Sequence, residues 1–160
     1  MNRKRPGIRR MRGAVAVEFA FLSIPMALLL LGIAEFGNAF HQYNTIDKSV
    51  RDAARMLSAY SPVQAGYPSG GGQCLVVYGN TGCTGSPLVA GLTTSMVVVC
   101  DQVNTSGCTG QFKNVQTDPS GDTINLVQVK VTGYPYSQIT GFFNLAGVIF
   151  GDISCVMRQT

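Results

Sequence analysis

The chain has 160 residues, about one domain, with 46% hydrophobic and 12% charged residues. So little charge on so apolar a chain excludes a disordered protein. The formal net charge of +4 is concentrated at one end: six of the twelve Lys+Arg fall in the first twelve residues, and the remainder sums to −2. This distribution argues against a nucleic-acid interface.

Arg3, Lys4, Arg5, Arg9, Arg10 and Arg12 form a basic leader, taken as residues 1–13. Ala14 to Ala34 is then apolar except for Glu18 and Ser23. At ~1.5 Å per residue this stretch spans about 31 Å, the thickness of a bilayer's hydrocarbon core. The leader's charge predicts a cytoplasmic N-terminus. No Ala-x-Ala exit follows the apolar run, so an anchor that stays is expected over 14–35 rather than a removed secretory signal. Pro25 inside it lacks an N–H and is expected to kink the helix.

Phe36, Phe40, Tyr43, Ile46, Val50, Ala53 and Leu57 recur at helical spacing. They predict that the helix continues over 36–60, supported by the i,i+4 pairs Asp47/Arg51 and Lys48/Asp52. Ser61-Pro62 and the run from Gly66 to Gly72 end it, giving a Gly/Pro linker over 61–73. The rest, 74–160, reads as a β head. Leu75–Tyr78 is a short apolar run, Thr93–Cys100 is β-rich, Leu126–Thr132 alternates cleanly, and Ile153–Arg158 is a last strand. The apolar segment 142–150 is too short to span a bilayer, and reads as core or as a loop touching membrane or a partner.

All five cysteines lie from residue 74 onward, without zinc or CxxC spacing. A small Gly-rich head beyond a membrane span favours disulfides. Short closed loops predict Cys74–Cys83 and Cys100–Cys108, with Cys155 left over, although Cys155 could displace a partner beside Thr93–Cys100. Catalysis has little support. His41 is the one histidine, the acids Asp101, Asp118, Asp122 and Asp152 look like turn residues, and Gly70-Gly71-Gly72 lacks a phosphate-loop frame. No enzyme, metal, cofactor, nucleic acid or small-molecule substrate is expected.

Glu18 is the exception to this blandness. A carboxylate four residues into a spanning segment costs about 2–3 kcal/mol or more unless it is paired or snorkels. A basic leader, then Gly13, then an apolar run with Glu at its fifth position is the layout of a type IV prepilin signal. Cleavage after Gly13 would free an amine on Ala14 to neutralise Glu18 of a neighbouring subunit within lipid.

Gly13-Ala14-Val15-Ala16-Val17-Glu18-Phe19-Ala20, Pro25, Leu28–Leu31, Gly32-Ile33-Ala34-Glu35-Phe36-Gly37 and Asp52-Ala53-Ala54-Arg55 resemble the TadE-like family over about residues 13–57. Its members are minor pilins or pseudopilins of the Tad/Flp tight-adherence pilus. The resemblance implies processing by a prepilin peptidase, packing with other pilins or minor pilins in the bacterial inner membrane, and a periplasmic head. Glu35, Phe36, Phe40, Tyr43 and Arg55 are candidate helix-interface residues. The expected fold is α+β and pilin-like: a long N-terminal helix, half in the membrane and half in the periplasm, packed on a small antiparallel sheet. The expected function is that of a structural assembly subunit; the alternative is a single-pass periplasmic binding module unrelated to pili.

Overall fold

The computed structural model describes residues 11–119, 121–142, 145 and 147–160. Nearly all of the basic leader therefore lies outside the described residues. One helix, α1 (Met11–Ser58), runs from the apolar segment through Pro25 without interruption. From Gly13 to Ala34 its residues are exposed or only partly covered, whereas Ile46, Val50, Ala53, Ala54 and Leu57 are fully buried. The apolar stripe therefore has two environments: its later half packs on the head and its earlier half is left largely uncovered by the described residues.

The head is a two-layer α/β arrangement. The sheet contains β1 (Val97–Cys100), β2 (Val115–Gln116), β3 (Thr123–Val131) and β4 (Ile153–Gln159), every pairing antiparallel and every strand paired with β3. A short 3-10 turn, Thr94–Met96, leads into β1. Strand period two sets the face that is buried. Val127, Val129 and Val131 point to the helices, with Val97 and Val99 registered beside Val131 and Val129 on one side and Ile153 and Cys155 beside the same residues on the other. Fully burying each such aliphatic side chain stabilises the fold by about 1.5–3 kcal/mol. On the opposite face of β3, Lys130 is buried too rather than solvated.

The expected linker is where the structure departs from the sequence reading. A second helix, α2 (Ser69–Tyr78), begins inside 61–73 and takes in Leu75–Tyr78, which was expected as a strand. Its first turn contains Gly70, Gly71 and Gly72, poor helix formers. Packing explains it: a Cβ on Gly72 would stand 2.7 Å from Leu57 Cδ1, so the glycine lets α2 settle onto α1. Gly79, in the left-handed conformation that glycine adopts without strain, caps α2 by donating its N–H to the Leu75 carbonyl.

One link ties the last strand to the end of α1. Gln159 Nε2, near the C-terminus, donates to the carbonyls of Tyr60 at 3.1 Å and Leu57 at 3.4 Å and to the Tyr67 hydroxyl at 3.2 Å. Burial first, and then the charge of Asp101, push that hydroxyl up to about 12. Cys74 is bonded to Cys83 and Cys100 to Cys108, with Cα–Cα separations of 4.8 and 5.9 Å. Cys155 is free and half-buried.

Candidate functional site

Gly13, Ala14 and Glu18 lie on the exposed part of α1. Glu18 has no hydrogen-bond or ion-pair partner among the described residues, so none of these offsets the cost of placing its carboxylate in lipid. Around it Val17, Phe19, Phe21 and Leu22 are all more than half exposed. The segment is a candidate membrane span by length and composition.

The candidate interface residues divide among three surroundings. Phe36 and Phe40 are 71% and 66% exposed, because they lie on the flank of α1 rather than on the line of Ile46, Val50 and Leu57. Tyr43 is brought to the head, its ring 6.1 Å from that of Phe150, which also stacks on Tyr134 at 5.7 Å and meets Tyr136 edge-on. Arg55 is exposed and makes no ion pair among the described residues; the helix pair that does form is Arg51–Asp47, at 3.0 Å.

Glu35 has the most consequential surroundings. It is buried, not solvated at the helix's exit from the membrane. Its Oε1 accepts from the Thr140 N–H at 2.8 Å and the Thr140 hydroxyl at 2.6 Å. Its Oε2 accepts from the Tyr136 hydroxyl and from the Ile139 N–H at 3.3 Å. Both carboxylate oxygens are thus filled by the loop that follows β3. Burial, and then the hydrogen bond to Glu35, hold the Tyr136 hydroxyl above its ordinary value.

Asn38 and Gln42 complete the grip. Asn38 Nδ2 donates to the Ser137 carbonyl at 2.8 Å and to the Tyr136 hydroxyl at 3.2 Å. Gln42 faces Ser137 with both ends of its amide: Nε2 donates to the carbonyl at 2.6 Å and Oε1 accepts the N–H at 3.3 Å. The Tyr134 hydroxyl lies 3.1 Å from the same Oε1 and 2.9 Å from the Ala90 carbonyl. Sequence reasoning passed over Asn38 and Gln42. The signal was present: Glu35, Asn38 and Gln42 extend toward the membrane the same helical spacing that Ile46, Ser49 and Ala53 carry through the core.

Between this loop and α1 lies an apolar cleft of about 360 Å³, lined by Gly32, Phe36, Ala39, Leu145, Val148 and Phe150 among others. Among the described residues no cluster of His, Cys, Asp and Glu is grouped to hold a metal. What the arrangement can do is mechanical: it fixes the head to the helix at the level where the apolar span ends.

Residues 13–55 match the family model described as TadE-like protein, so the resemblance covers α1 nearly to its end and none of the sheet. No curated protein and no solved structure matches the chain.

Proposed function

We propose that this chain, TadE-like over residues 13–55, is a minor pilin or pseudopilin of a Tad/Flp pilus assembly system. In this reading the basic leader is removed between Gly13 and Ala14 by a prepilin peptidase. The new amine of Ala14 in one subunit and Glu18 of a neighbour then pair in the bacterial inner membrane. The helix packs laterally with other pilins, and the head serves in the periplasm as an adaptor. The subunit acts by packing and not by catalysis.

The observation that carries the reading is the matched segment itself: it opens on Gly13, and it contains Glu18, which has no partner among the described residues, on a stretch of helix whose apolar side chains those residues leave largely uncovered. A single-pass binding module has no use for that carboxylate at that depth, since it adds cost without a partner. The test is the intact mass of the protein recovered from membranes of cells with an active prepilin peptidase. A mass beginning at Ala14 is expected, and Glu18→Gln should keep its disulfides and fail to assemble. A retained Met1–Gly13 would sink the pilin reading and leave the single-pass binding module.

A further inference from the structure

We propose that the head carries a lipid-embedded foot: the loop after β3 sits in the interfacial layer of the bilayer that α1 spans, with Ile139, Phe142, Val148 and Ile149 against acyl chains.

Depth is the first argument. The cleft brings Leu145 and Val148 together with Gly32, below the end of the apolar run at Ala34, and Ile139 donates its N–H to Glu35. If 14–34 fills the hydrocarbon core, these loop residues lie at its upper edge, where interfacial apolar groups insert about 5–10 Å. The second argument is surface character. Ile139, Phe142 and Ile149 are each at least 60% exposed, and Val148 is 48% exposed. The cleft adjoins, through Gly32 and Phe36, an apolar groove of α1 lined by Pro25, Leu28, Leu29 and Ile33. No charged residue occurs between Lys130 and Asp152.

The backbone supplies the third and most specific argument. Irregular chain is tolerated at membrane depth only where its polar groups are satisfied from within. Among the described residues of this loop many are. The N–H of Tyr136 donates to the Val148 carbonyl at 2.8 Å, that of Val148 to Leu145 at 3.0 Å, and that of Phe150 to Tyr134 at 3.0 Å. Side chains take several more: Gln42 accepts from Ser137, Glu35 from Ile139 and Thr140, and Gln138 Oε1 from Leu145 at 3.2 Å. Continuity with the spanning helix and depth favour lipid over a second copy of the chain as the occupant.

The chain has no tryptophan, so single Trp substitutions report their own surroundings. The experiment uses the full chain in phosphatidylcholine/phosphatidylglycerol vesicles, with or without bromine near the headgroup end of the acyl chains. Leu22→Trp reports on the span, Phe142→Trp and Ile139→Trp on the foot, and Val63→Trp on the exposed surface beyond the end of α1. The expected result is a blue-shifted emission from Trp at 142 and at 139 that is largely lost in brominated lipid, with the Val63 reporter unaffected. Water-like emission from both foot reporters while Leu22→Trp is quenched would overturn the foot and leave the membrane span intact. An unquenched Leu22 reporter would overturn both. A blue shift untouched by bromine that grows with the protein-to-lipid ratio would assign the surface to a second copy and also overturn the proposal. The two foot reporters do not depend on pilus assembly, so the foot can fail while the pilin reading stands.

Discussion

Glu35 shows how much one side chain settles at the boundary between helix and head. A carboxylate is acceptor-only, and here four donors from the loop converge on its two oxygens. Glutamine has nearly the same shape but replaces one of those oxygens with two donors. In Glu35→Gln, either Thr140 or the Tyr136–Ile139 pair loses its acceptor and faces N–H groups instead. A buried group left unpaired costs about 1–3 kcal/mol. The expected outcome is faster hydrogen exchange at the Ile139 and Thr140 amides, with the β3 and β4 amides unchanged. Unaltered protection at 139 and 140 would mean that the aromatic contacts of Phe150, not Glu35, hold the loop. The residue's importance was half legible: its position stood out within the resembling segment, but its partners lie about a hundred residues away and no local pattern names them.

Among the elements, α2 is the instructive case. A serine, three glycines and two β-branched valines argue locally for a linker and a strand. The helix forms because Gly72 admits Leu57 and because Val76 and Val77 are fully buried in the common core. Tertiary packing overrides propensity here, and that packing is invisible in a ten-residue window. By contrast β3 was legible, because its alternation is a property of the strand alone, and so was the helical stripe of α1, since its spacing is local. Whether that stripe faced the head or solvent was not, which is why Phe36 and Phe40 are exposed while Ile46 is buried. The Gly72→Ala substitution separates the two influences. Helix propensity favours alanine by about 1 kcal/mol. The added methyl meets a Leu57 that is fully buried and has nowhere to move, and overpacking costs about 1–3 kcal/mol. Net destabilisation is expected in denaturant unfolding of the detergent-solubilised protein. A more stable variant would show that α2 rides loosely on α1.

At the scale of the whole molecule, the core joins the first half of the chain to its last strand, through α1 against β3 and β4. Such distant contacts are entropically costly to close, and the two disulfides, each bridging a short stretch between α1 and β3, shorten those loops only slightly. Each closes a loop of nine or eight residues within the head and restrains the unfolded chain locally. The chain-entropy account assigns each about 2–3 kcal/mol. Cys100→Ala with Cys108→Ala should therefore lower the unfolding free energy by about that amount while leaving exchange at Ile139 and Thr140 untouched. A larger loss that also frees the loop would show that the Cys100 end of β1 supports the junction.

The grip of Glu35, Asn38 and Gln42 has a consequence for how movement passes through the protein. Span and head share one helix, with no flexible joint between Ala34 and Ser58, and the loop is bound to that helix at its base. With the candidate span embedded in a bilayer, the molecule would be a lever with its fulcrum there. The 24 residues from Glu35 to Ser58 form an arm of about 35 Å. A span tilting by about 20°, an ordinary inclination for a transmembrane helix, swings the arm's far end sideways by about 12 Å. Rotation of the span about its own axis turns the sheet through the same angle. Whatever presses on the buried helix is thereby reported, without loss, at the far end of the head.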